Sequence, residues 1–404
     1  MSESTLPLRV RDLLARGVRM PNPASVEIDP AIVPERIAPD AVIHAGCRLR
    51  GASTSVGPAS VLGAETPLTL EDSQLGANVE LKGGYVAGSV FLDGANVGSG
   101  AHIRAGTLLE EEANGAHTVG LKQTILLPFV TLGSLINFCD VLMAGGTSRK
   151  NHSEVGSSFI HFNYTPHQDK ATPSLLGDVP RGVFLDRAPI FLGGQGGLVG
   201  PLRLGFGCVT PAGSVLRRDA ADDGMLVGPA VAAAGIRRYD ASTYRGAQRV
   251  WQNNLTYIGN LVALREWYRH VRSLFMTGVY ERFCLDGALR LLDGALKERL
   301  KRLDEWVAKL KGSAERLRAD GESRHLAECE AQERIVHGWT AARMRVANPM
   351  LGEVERERFV QELIAARAGR DYLPLLPALP EAVKLTGRAW LQSLVESTLR
   401  AGEE

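Results

Sequence analysis

The chain has 404 residues, 45% of them hydrophobic and 23% charged, with a net charge of +1. That balance argues against nucleic acid or an anionic membrane surface as the main partner. Cys47, Cys139, Cys208, Cys284 and Cys329 stand far apart with no CxxC pair, which reads as reduced thiols of a cytoplasmic protein rather than a disulfide frame or a zinc site. No run of about 18 apolar residues occurs, so no transmembrane helix is expected. The start, MSESTLPLRVRDLL, has no basic segment leading into an apolar one and does not read as a secretory signal.

Residues 1–30 read as a helical or extended N-terminal segment. From there a period of six sets in: Ile37, Ile43 and Leu49, then Val56, Leu62 and Leu68, later Val97 and Ile103, and finally Val209 and Val215. Small and turn residues fill the gaps, among them Gly57-Pro58, Gly98-Ser99-Gly100 and Ala105-Gly106. One inward aliphatic side chain per short strand, with a corner after it, is the pattern of a coil of three strands. One coil cannot bury its apolar row alone, so coils stack. The fold class expected is mainly β with a helical tail: a left-handed parallel β-helix over 31–219, followed by an α-helical region over 240–404. Breaks near 64–72, 109–118 and 143–152 read as loops extruded from coil corners, where function concentrates. The least regular stretch, an inserted loop at about 143–190, is rich in polar, proline and histidine residues.

Only 12 of the 44 glycines lie after position 240. Residues 247–276 carry apolar side chains at helical spacing. In 289–317, Leu289, Leu292, Leu296, Leu300, Leu303, Val307, Leu310, Ala314 and Leu317 step by three and four, predicting an amphipathic, coiled-coil-like helix. Helices are also expected over 323–345, 353–368 and about 381–401, with the prolines of DYLPLLPALPEA breaking the pattern. The expected role of this tail is to cap the open end of the coil stack.

The blocks LKQTILLPFVTLGSLINFCD (121–140), HFNYTPHQDK and IFLGGQGGLVGPLRLGFGCVTPAGSVLRRD together resemble the β-helix acetyltransferase domain of the bifunctional N-acetylglucosamine-1-phosphate uridyltransferase and its archaeal sugar-nucleotidyltransferase relatives. The resemblance covers roughly residues 40–220 and does not include the nucleotidyltransferase domain. It places Lys122, Asp140, Tyr164 and Lys170 in substrate binding and Asn163 in the catalytic group. It implies acetyl-CoA as cosubstrate, a sugar phosphate or nucleotide sugar related to UDP-N-acetylglucosamine as acceptor, and a homotrimer. Two departures stand out. The family's catalytic histidine falls on Ser134 and its tyrosine on Asn137, and the spacing from Asp140 to Asn163 is longer than in the family.

Amine acylation needs a base, and Ser134 is not one unaided. His152, beside the Ser148-Arg149-Lys150 run, is the candidate, with Arg149 and Lys150 for phosphate. Gly194, Ala212 and Arg217 are candidates for holding the CoA arm and its phosphate. A second reading keeps a sugar-nucleotide pocket without catalysis, with the tail engaging a partner such as a separate nucleotidyltransferase. The third is a zinc site of the γ-carbonic anhydrase kind drawn from His117, His152, His161 and His167, although the family's short His-x4-His spacing is missing.

Overall fold

A computed structural model describes residues 6–228, 236, 239–320, 323–347 and 352–403. The front of the chain is a parallel β-solenoid with three flanks per turn. The first flank is one nine-stranded sheet running from Val42–Ile43 to Val209–Thr210. The second begins at Glu27–Ile28 and Arg48–Arg50, the third at Ser55–Val56. Strands Gly120–Leu126 and Asn137–Met143 run through the corner from second to third flank and join them into one sheet. The period-six residues from Ile37 to Leu68 are all buried, as are Val97 and Ile103. At the far end the register differs from the expectation by one residue. Thr210 and Leu216 point inward there, while Val209 is 40% exposed. The insertions between rungs reset the phase, and in a strand a shift of one exchanges the faces.

Pairing begins earlier than residue 31 and ends later than 219. Arg19 bridges Val42, Glu27 pairs with Arg48, and at the other end Leu226 bridges Val209. The 109–118 stretch extrudes no loop, because Thr107–Leu109 and Asn114–Gly115 are ordinary rungs. The extrusions are a hairpin pairing Gly146–Ser148 with Asn151–His152, a loop over 163–173, and the segment 177–190.

The helices are α1 (Leu8–Ala15), α2 (Val179–Gly182), α3 (Ala247–Trp267), α4 (Ser273–Phe275), α5 (Val279–Ala319), α6 (Ser323–Ala347), α7 (Glu353–Arg367), α8 (Tyr372–Ala378) and α9 (Glu381–Glu403). A π-turn, Tyr268–Arg272, joins α3 to α4. The segment expected to be broken by proline holds α8. Pro374 falls in its first turn, where backbone N–H groups lack intrahelical acceptors in any case.

The tail does not cap the stack as expected. It lies along the third flank, while Val10 and Leu13 of α1 enter the solenoid core at its N-terminal end. The reason is visible in neighbouring side chains. Phe91, Leu109, Leu126, Met143 and Leu176 face the solenoid interior. Val90, Leu108, Ile125, Leu142 and Leu175, each one residue earlier, join the core of the helical region. A flank apolar on both faces must be covered on both. α5 reaches it closely at Gly287, where a Cβ would stand 2.1 Å from Gln74 Oε1. Leu108→Ala is expected to cost about 2–5 kcal/mol by opening a cavity in this seam, measurable by urea denaturation.

Candidate functional site

The second–third corner is turned by residues in the left-handed region: Asp72 (φ 43°), Gly88 (55°), Gly106 (84°), Gln123 (50°) and Asp140 (63°). Pairing of Lys122 with Cys139 and of Thr124 with Val141 sets Asp140 directly above Gln123. In the next coil this corner opens into the 163–173 loop. Beneath the loop lies a cavity of about 110 Å³ lined by Arg104, Lys122, Cys139, Asp140, Asn163, Lys170, Glu298 and Arg299. Four cations face two carboxylates there.

Asp140 is 4% exposed and is the hub. Its Oδ1 accepts from Arg299 Nη2 at 2.7 Å and its Oδ2 from Asn163 Nδ2 at 3.0 Å. Arg299, 2% exposed, also donates to the Lys170 carbonyl at 3.3 Å. No hydrogen-bond or ion-pair partner occupies the Lys122 or Lys170 ammonium among the described residues. Glu298 is paired with Arg302 at 2.8 Å. Burial, and after it Asp140, push the Cys139 thiol up, which keeps it a thiol and a poor nucleophile.

The loop is clamped from the helical side. Lys309 Nζ donates to the carbonyls of His167 (2.8 Å) and Gln168 (2.9 Å), and Asn254 to that of Ala171 (3.0 Å). Tyr244 donates to Asp169 at 2.9 Å and stacks on the His167 ring at 4.1 Å.

His161 lies inside the solenoid beside the cavity, 3% exposed. Its Nδ1 meets the Cys139 carbonyl, which can only accept, so Nδ1 carries the proton. Its Nε2 therefore accepts from Ser174 Oγ at 2.8 Å, while that oxygen accepts from the Leu202 N–H at 3.2 Å. Burial pushes the ring down from 6.5 to about 4. Both nitrogens are engaged, and the ring is a neutral structural post. Between about pH 6.5 and pH 4 the unfolded chain takes up a proton that the buried ring refuses. The stability tied to His161 is therefore whole above pH 6.5 and is lost as pH falls toward 4. Glu110, which burial pushes up to about 7, works in the opposite sense. The clean measurement is thus the NMR titration of the His161 ring itself, expected to stay neutral at pH 5.5; a midpoint near 6.5 would contradict the assignment.

The residues singled out from sequence fall on three corners. Lys122, Asp140, Asn163 and Lys170 meet in the cavity; Tyr164, on the same loop, is 59% exposed and outside it. Ser134, Gly194 and Ala212 sit on the first–second corner. There Ser134 N donates to Ser157 Oγ, and Gly193 lies against the Ala212 backbone, where a Cβ would stand 2.3 Å from Ala212 N. Arg217 is exposed on the second flank near that end. His152, Arg149 and Lys150 belong to the hairpin on the third–first corner, away from the cavity. Arg149 is spent on the Glu112 and Phe129 carbonyls (2.7 and 2.8 Å) and on Thr131 Oγ1 (2.8 Å). Lys150 is exposed, and His152 Nδ1 faces the Ser153 carbonyl at 3.3 Å. His117 is on the first–second corner and His167 under the helices; among the described residues no three His, Cys, Asp or Glu side chains stand together as metal ligands.

Sequence reasoning missed Arg104 and Arg299. Arg104 is one coil before Lys122, its N–H bonded to the Leu121 carbonyl. Arg299 carried a signal: it stands in the apolar seam of the helix, between Leu296 and Leu300.

No family model matches the chain. Among curated proteins it is 28% identical over 215 residues to the bifunctional protein GlmU of Streptococcus equi subsp. zooepidemicus, covering 53% of this chain and 42% of that one. It is 29% identical over 220 residues to GlmU of Cyanothece sp., covering 54% and 43%. The chain thus spans less than half the length of the curated relatives it matches. Among solved structures, the UDP-N-acetylglucosamine acyltransferase from Campylobacter jejuni overlaps 50% of this chain and 67% of its own, with 14% identity and a TM-score of 0.25. The solenoid of this chain is thus similar in sequence, at under 30% identity, to part of the bifunctional GlmU proteins.

Proposed function

We propose that the second–third corner cavity binds the phosphate end of a nucleotide sugar or sugar phosphate related to UDP-N-acetylglucosamine, and that the chain uses it for recognition rather than acyl transfer. The observation that carries this is the pair of ammonium groups, Lys122 and Lys170, unpartnered among the described residues and beside Arg104 in one small cavity. Phosphate oxygens are strong acceptors for such donors. The cavity holds the charged end. The remainder of the ligand lies in the adjoining seam of about 330 Å³ between the corner column and α5, which shares Glu298 with it.

Acetyl-CoA-dependent transfer is the second reading. A base is what it lacks within one protomer, since His161 has both nitrogens engaged and His152 is on another corner. A homotrimer would supply a neighbour's first–second corner, with Ser134, Gly194, Ala212 and Arg217 at the acyl donor. Exposed Leu135, Ile160 and Phe162 on or beside the second flank, with Phe191 and Val209 on the first, favour such association. A separate nucleotidyltransferase is the partner this recognition role suggests, in the cytoplasm. No helix among the described residues is long and apolar enough to cross a membrane.

The test is calorimetric titration with UDP-N-acetylglucosamine and, separately, acetyl-CoA, followed by a thiol-release assay with both present. Sugar-nucleotide binding without thioester cleavage is expected. Cleavage that requires the sugar nucleotide would replace recognition by transfer, and silence from both ligands would sink both readings.

A further inference from the structure

A further cavity lies at the other edge of the covered flank. About 500 Å³ in volume, it opens between the third–first corner, the π-turn and the segment leading into α8. Its wall contains an ion pair that is only half satisfied. Arg272, 1% exposed, pairs through Nη2 with Glu111, and its guanidinium lies over the Tyr372 ring at 4.0 Å. Stacking fixes the plane of the fork. Yet among the described residues Arg272 Nε and Nη1 have no partner, and neither does Glu111 Oε2. Buried donors and acceptors are almost always met, and leaving them unmet costs free energy. The wall of this half-open cavity of ligand size therefore contains two unmet donors and one unmet acceptor.

The rest of the lining has the same double character. Arg367 stands on the wall with its guanidinium over Phe275 at 4.8 Å. Asp93, Glu111 and Glu281 line the cavity as well, Asp93 accepting from Ala77 N at 2.8 Å and Glu281 from Gly278 N at 2.7 Å. Burial pushes the Asp93 carboxyl up and the Ala77 N–H pulls it back, while Glu111 and Glu281 push it up against the pull of Arg272, so a further positive group beside Asp93 would favour its ionised form. A π-turn places Tyr268 and Arg272 here, and such turns recur at functional sites.

We infer that this cavity binds a small zwitterion. Its carboxylate or phosphate sits on Arg272 and Arg367, and its ammonium among Glu111, Asp93 and Glu281. The site is separate from the Lys122–Lys170 cavity, and the inference does not rest on the proposed recognition of sugar nucleotides. The nearer alternative is ordered water on Arg272, which asks for no charge of either sign.

The experiment is calorimetry on the full chain with β-alanine and phosphoethanolamine, and with the half-ligands propionate, ethyl phosphate and ethanolamine. Saturable binding of at least one zwitterion is expected, with Kd of about 1 mM or tighter and at least about tenfold tighter than its half-ligands. Preference between β-alanine and phosphoethanolamine identifies the anionic group. Arg367→Ala strands no buried charge and is expected to weaken binding about tenfold. Arg272→Lys keeps a cation opposite Glu111, loses the planar fork and should do the same. Sugar-nucleotide binding should be unchanged in both variants. Absence of saturable binding by either zwitterion up to about 10 mM overturns the inference and leaves water as the occupant. Equal binding of a half-ligand, or binding indifferent to Arg367→Ala and Arg272→Lys alike, overturns it too.

Discussion

Arg299→Met is expected to destabilise the protein by about 3–5 kcal/mol, because it leaves the Asp140 carboxylate buried with its ionic partner gone. Both side chains are nearly inaccessible, at 3% and 5%, so solvent does little to replace the lost partner. The damage extends beyond the pair. Arg299 also holds the Lys170 carbonyl, so the 163–173 loop loses one of its clamps. Two measurements check this: urea denaturation for the global loss, and amide hydrogen exchange for faster opening of 163–173. The double variant Asp140→Asn/Arg299→Met removes the stranded charge and is expected to recover a large part of the loss. A single variant as stable as the native chain would mean that the pair is solvated and is not the hub of this corner.

Lys122→Ala and Lys170→Ala are each expected to weaken UDP-N-acetylglucosamine binding by about 10- to 100-fold. That follows from about 1.5–3 kcal/mol for a hydrogen bond to a charged group. Neither ammonium has a partner among the described residues, so stability should shift by no more than about 0.5 kcal/mol. The combination separates recognition from folding, which Arg299 variants do not. Affinity should also fall with added salt, and the fall should be shallower in each variant. Affinities within twofold of the native chain for both variants would place the phosphate elsewhere.

The solenoid was legible because its signal is repeated: one inward aliphatic side chain every six residues, read many times over. The direction of the helical tail was not, although the information is present. Runs such as Ser89-Val90-Phe91, Thr107-Leu108-Leu109 and Val141-Leu142-Met143 put two apolar residues side by side on rungs of one flank, and adjacent residues in a strand face opposite ways. That pattern marks a flank covered from outside, whereas attention to period six looks only at the inner residue. The site divides in the same way. Lys122, Asp140, Asn163 and Lys170 could be placed through a resemblance to the family's motifs. Arg299 comes from a helix far along the chain, and its presence under the loop is a tertiary fact. His152 has basic neighbours in sequence, but the hairpin carries all of them to the third–first corner, and proximity in the chain does not survive a turn of the coil.

The double-sided flank also has a consequence for synthesis. Chain emerges from the ribosome in order, and the solenoid rungs up to residue 216 are complete before α3 begins at 247. Until α3 and α5 arrive, Val90, Leu108, Ile125, Leu142 and Leu175 form an uncovered apolar stripe on a nascent chain. Partly folded intermediates with such surface are prone to associate. The cover for that stripe thus comes from chain made after the coils, and the Asp140–Arg299 contact, bridging 159 positions, closes only when that cover is in place.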